Sequence, residues 1–372
     1  MIIENAAGAY LGPTPRLLSA FRLTKTDPHY DVLENDTIRL ILGKCSRLPD
    51  DEDPTAGRFG IDFHRALPPF TGPSGFTCDW GEGPFPVNAF NFARFLPRTI
   101  RFRQFTANLA FAAQTPAEYE AKRRVYEDFY RQIYGASQPL VVAVPHSGPV
   151  YRPPDEYHPF PESEIDAWTA RLAVRLDPPR LGKTSPLLVS LHSTDYFGVL
   201  LDIGDFGLPS NRHLAEIVEK LNTAFAEELA AVEPAYREHA TSYTQLRLQW
   251  KQQRWGALTP EHLANISTAS RFEVMMLDRI IGDCIRPEER FTYDGLCRGV
   301  EAYWSRGNRA RLSLNGVFSG RKTANLLNLE ENLPQAGFQS AVQVECSRFL
   351  AQHHPRLAAA IIGRLVELMS ER

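Results

Sequence analysis

A chain of 372 residues, 43% hydrophobic and 23% charged, is long enough to bury a large core and has the balance of a globular protein. Its net charge of -3, with Lys and Arg scattered, speaks against nucleic-acid binding, and no apolar run approaches the roughly 18 residues of a membrane span. Cys45, Cys78, Cys284, Cys297 and Cys346 are widely spaced and form no C-x-x-C pair, and MIIENAAGAYLG lacks a basic region followed by an apolar one. Reduced thiols and a cytoplasmic location are therefore expected.

The first 135 residues read differently from the rest. Leu48 to Pro97 is dense in Pro, Gly, Asp and Phe, which predicts tight turns with enough aromatics to pack. IRFRQF (Ile100 to Phe105) alternates like a strand, and Thr115-Pro116-Ala117-Glu118 starts a helix expected to reach Tyr134. From there apolar runs and helical patterns alternate. Strands are expected at Pro139–Val144, Ser185–Thr194, Arg309–Gly316 and Ser340–Ser347. Helices are expected at Pro161–Leu176, from Asn211 to about Val232 behind a Ser210 cap, at Tyr243–Trp255, at Pro260–Ile285 and from Pro355 to about Ser370. Buried strands separated by helices imply an α/β fold with a mostly parallel sheet. The expected organisation is a loop-rich extension over residues 1–135 and an α/β domain over 136–372.

Two of the apolar strands lead to a His-Ser pair, PHSG at His146 and LHST at His192. Sites in open α/β sheets form beyond the carboxyl ends of the strands, so the two imidazoles can meet there. They are natural zinc ligands, or else capped loop histidines. A catalytic zinc needs a third protein ligand. Glu164 and Asp166 stand in the first turn of the intervening helix, where acids also serve the helix dipole. Glu345 is the one acid in the apolar strand AVQVECS, so it is a candidate general base or a buried structural acid. Asp202 and Asp205, in LLDIGDFG, read as pocket-lining residues or as a turn built with Gly204 and Gly207.

In their order along residues 139–350, PHSG, the acidic pair before Trp168, LHST, NGVFSG at Asn315 to Gly320 and QSAVQVEC at Gln339 to Cys346 resemble the N-formylglutamate amidohydrolase family. The resemblance implies a phosphorylase/hydrolase-like three-layer αβα fold related to zinc carboxypeptidases. It implies one Zn2+ per chain held by His146, His192 and Asp166, with Glu164 as the competing acid. It implies Glu345 as the general base, and Ser147, Asn315 and Gly320 beside a small acidic amide or peptide substrate. The family's second glycine is Arg321 here, a candidate clamp for a substrate carboxylate, and Lys322 follows it. The family's S-R-x-x-x-D-x-N-R segment has no counterpart. The expected activity is hydrolysis of an N-formyl or N-acyl amide of an acidic amino acid such as N-formylglutamate. The alternatives are a carboxypeptidase-like peptidase and a non-catalytic ligand-binding descendant; the sequence does not indicate an oligomeric state.

Overall fold

A computed structural model describes residues 21–26, 30–43, 70–71, 77–78, 132–133, 135–144, 176, 186–194, 197–255, 277, 280–289, 292–316, 338 and 340–371. Ten strands and five α-helices are used below. The strands are β1 (Arg22–Thr26), β2 (Tyr30–Glu34), β3 (Ile38–Gly43), β4 (Phe70–Thr71), β5 (Thr77–Cys78), β6 (Leu140–Val144), β7 (Leu187–Thr194), β8 (Val199–Asp205), β9 (Arg311–Leu314) and β10 (Ser340–Ser347). The helices are α1 (Leu214–Ala224), α2 (Ala226–Trp255), α3 (Tyr293–Ser305), α4 (Arg348–His353) and α5 (Pro355–Ser370). None of the described helices is long and apolar enough to cross a membrane.

Eight strands form one mixed sheet in the order β1-β2-β3-β6-β7-β10-β8-β9, and β4 and β5 make a separate two-stranded pair. The central pairings β3–β6, β6–β7 and β7–β10 are parallel, as is β8–β9. The pairings β1–β2, β2–β3 and β10–β8 are antiparallel. Parallel neighbours need crossover connections, and the runs LVVAV and SAVQVECS are buried along almost their whole length, as α/β strands are. β10, the last of the described strands, inserts between β7 and β8.

Three strands come from residues 22–43, on the N-terminal side of the boundary expected near residue 135. β3 pairs with β6, Ile38 opposite Leu140 and Leu42 opposite Val144. Every residue of β2 is buried. The sequence reading assigned no strands here, because YDVLEND and DTIRLILG are short apolar runs between turn formers and lack a long periodic signal.

Alternate side chains of a strand take opposite faces. One face of the sheet supplies Leu40, Val142, Val189, Val342, Ile203 and Leu312 to a core shared with Leu214, Ile217 and Leu221 of α1, Leu296 and Val300 of α3, and Ile361, Ile362 and Leu365 of α5. The predicted final helix matches α5, whose apolar stripe recurs at helical spacing.

Two expected helices are corrected. The stretch expected to be one helix from Asn211 is a 3-10 turn, Pro209–His213, then α1, then a break at Phe225. α2 then runs unbroken from Ala226 to Trp255 through Pro234, where the sequence suggested a stop. Proline inside a helix costs roughly 3 kcal/mol. Burial of Leu229 and Val232 before it, and of Tyr236, Ala240 and Tyr243 after it, outweighs that cost. The expected strand at Ile100–Phe105 and the helix at Pro161–Leu176, apart from buried Leu176, lie outside the described residues, as do most of the helices expected at Thr115–Tyr134 and Pro260–Ile285.

Candidate active site

The face of the sheet opposite that core carries a polar patch where β7, β10 and β8 meet. Register places His192 directly beside Glu345, and Glu345 directly beside Asp202. Asp202 in turn lies beside Ser313 of β9. One step toward the N-terminal ends of β7 and β10, Ser190 stands beside Gln343. One step the other way, Thr194 stands beside Ser347. All of these but Ser313 are buried, His192 and Glu345 each to 5% exposure.

Buried polar groups need partners, and these have them. Ser190 Oγ lies 2.9 Å from His192 Nε2. Gln343 Nε2 donates to Glu345 Oε1. Asp202 Oδ1 accepts from Ser313 Oγ at 2.5 Å and from the Gly316 amide at 2.9 Å. Burial pushes the Glu345 carboxyl up to about 8; the Gln343 donor opposes this shift and the Asp202 carboxylate adds to it. Burial also lowers His192 to about 4, so its ring is neutral at pH 7. Cys346 points to the helix side, where burial pushes its thiol up to about 12, too high for a nucleophile.

The structure brings His192 and Glu345 together, which their wide separation along the chain hid from any local motif. It also corrects two local readings. His192 is not at the mouth of its strand: Ser193 and Thr194 continue the ladder with Cys346 and Ser347. Asp202 and Asp205 lie in β8, whose seven residues are all buried, and only Asp205, its last residue, leads into a turn with Gly207. Burial of Asp202 is tolerated because two donors meet its carboxylate. Asp205 Oδ1 accepts from the Gly207 amide and from Asn211 Nδ2, and Asn211 also donates to the Ala341 carbonyl. Asn315 has a left-handed backbone at φ 53, which asparagine tolerates. Its side-chain oxygen accepts from the Asp205 amide, so Asn315 ties the turn after β9 to β8. At Gly316 a Cβ would crowd Ser313 Oγ at 2.9 Å and Asp202 Oδ1 at 3.2 Å, so the glycine lets the turn close on Asp202.

His146, Ser147, Glu164, Asp166, Gly320 and Arg321 lie outside the described residues. Among the described residues no group of three or more His, Cys, Asp or Glu side chains is arranged to hold a metal ion. His192 and Glu345 are the two expected site residues that the described structure places side by side, and Asn315 is joined to them through β8. Ser190 and Gln343 escaped the sequence reading, although the period-two pattern in VSLHST and VQVECS marks both.

The paired shifts predict a pH profile for metal-free stability. The folded state holds the Glu345 proton up to about pH 8, whereas an ordinary carboxyl releases it near 4.5. Between those values the folded state binds the extra proton, so stability falls as pH rises. For His192 the unfolded state binds the extra proton between about 4 and 6.5, so stability falls as pH drops through that window. The slopes oppose one another from 4.5 to 6.5 and leave an alkaline decline from 6.5 to 8 that belongs to Glu345. Glu345→Gln removes that decline. Urea unfolding in chelator at pH 6.5 and 8.5 is expected to show the wild type losing about 1–2 kcal/mol relative to the variant. A gap that does not change with pH would contradict the assignment.

Comparison with protein-family models, with curated proteins and with solved structures gives no match for this chain.

Proposed function

We propose that this chain is a zinc-dependent amidohydrolase that cleaves the N-formyl or N-acyl amide of an acidic amino acid, N-formylglutamate being the type of substrate. The observation that carries the reading is the buried, in-register pair of a neutral imidazole and a high-pKa carboxyl, His192 and Glu345. Perturbed ionisable groups concentrated at one point are what acid–base chemistry requires.

Zinc is the metal this reading requires. His192 offers an unprotonated ring, and in this reading His146 and an acid, Asp166 or Glu164, complete the protein ligands. Bound zinc supplies Lewis acidity for the scissile carbonyl. Glu345 supplies the proton transfers. Gln343 holds its Oε1, which leaves Oε2 to take a proton from the attacking water and return it to the leaving amine. A nearby cation favours the ionised carboxylate, and the Gln343 donor works in the same direction. Asp202 works against it and keeps the carboxyl avid for a proton. Arg321 is the proposed clamp for the substrate's own carboxylate. The three-layer αβα arrangement belongs to the same proposal: complete burial of Ser190 and Asp202 on the face away from the helices is what a second covering layer produces.

Metal analysis of purified protein and hydrolysis of a panel of N-acyl amino acids and short peptides test this. Zinc near one per chain, with turnover of acidic N-formyl substrates, is the expected result. Turnover confined to peptides moves the reading to a peptidase, and protein without zinc or turnover removes the enzyme reading.

A further inference from the structure

Ser190 has no part in the chemistry above, yet its surroundings give it one. It is wholly buried in an otherwise apolar stretch of β7, on the same face as His192. A serine at such a site costs stability unless its hydroxyl is engaged. On the neighbouring β6, Ala143 occupies the position directly beside it, so the sheet accepts a small apolar residue in that row. The hydroxyl lies 2.9 Å from His192 Nε2, and reaching it requires the ring to lie back along the strand. The same arrangement recurs one strand away, where Gln343 grips Glu345 from two positions earlier. Ser190 and Gln343 are themselves in register. A row of orienting side chains thus underlies a row of chemical ones.

We propose that Ser190 is a positioning residue, which fixes the ring of His192 through Nε2 so that the imidazole is presented to a metal ion in one orientation. The proposal rests on the zinc reading above. Hydrogen-bonded supports behind a ligating histidine set its tautomer and angle, and their loss costs roughly 10- to 100-fold in metal affinity.

Zinc alone is the probe. Its Kd is measured by competition with a chromophoric chelator for the wild type, Ser190→Ala and Val189→Ala, the last a control on the helix-side face of the same strand. Ser190→Ala is expected to bind zinc about 10- to 100-fold more weakly. Val189→Ala is expected to lower Tm while its zinc Kd stays within about 3-fold of wild type, which is how a purely structural role at Ser190 would behave. Ser190→Ala with wild-type affinity overturns the proposal and leaves the zinc reading standing, whereas a wild type that takes up no zinc overturns both. If Ser190→Ala does not fold, the imidazole 15N spectrum of the wild type decides: a hydrogen-bonded Nε2 on His192 supports the assignment, and an unbonded one overturns it.

Discussion

Glu345→Gln is expected to lower kcat by about 100-fold or more on whichever amide the protein hydrolyses, the usual scale of general-base catalysis. Gln is nearly isosteric, and it fits the ladder that pairs position 345 with His192 on one side and Asp202 on the other. The substitution therefore removes proton-transfer capacity while leaving strand, packing and metal ligands in place. The loss should fall on kcat with KM little changed, because proton transfer counts in the transition state and not in ground-state binding. The same variant should gain stability relative to wild type as pH rises from about 4.5 to about 8, since an uncharged amide replaces a carboxyl that burial resists ionising. A merely structural acid would show the stability effect alone. Steady-state kinetics beside urea unfolding separates the two, and a Gln variant with near-normal kcat removes Glu345 from the mechanism.

His192→Ala is expected to abolish zinc uptake, from about one per chain to near none, while the protein still unfolds cooperatively. The two expectations follow from the two faces of β7. Val189 and Leu191 belong to the helix-side core, and His192 does not. Truncating it leaves that core intact and orphans the Ser190 hydroxyl, at a cost of roughly 1–3 kcal/mol. His146→Ala should have the same effect on zinc if the pair acts together. Elemental analysis after dialysis and a thermal melt read the two quantities, and full zinc occupancy in either variant would refute the ligand assignment.

The α/β class was legible because buried strands such as LVVAV and SAVQVECS have the length and composition of sheet interiors, and because α5 repeats its apolar residues at helical spacing. Glu345 stood out as a charge in an apolar run. What escaped was non-local. VLLDIGD looks like a turn, since Asp and Gly are turn formers; it is a strand because Ser313 and Gly316, far along the chain, satisfy Asp202. Pro234 reads as a helix end, and tertiary burial overrides it. Ser190 and Gln343 were ordinary polar residues until register set each beside the other and behind the pair they orient.

The place of β10 has a consequence for how the molecule is made. It follows β7 and β8 along the chain, yet it lies between them. Until Ser340–Ser347 leaves the ribosome, β7 and β8 have no partner for the edges that later face it, and Ser190, His192 and Asp202 have none of the neighbours that position 343 or 345 provides. β1–β3 can pair with β6 and β7 without β10, but β8 and β9 join that sheet only through β10, so the patch needs Ser340–Ser347 in place. Such long-range pairing is slow and leaves strand edges open to the wrong partner. A chain that stops before Ser340 therefore carries His192 and Asp202 without Glu345 between them.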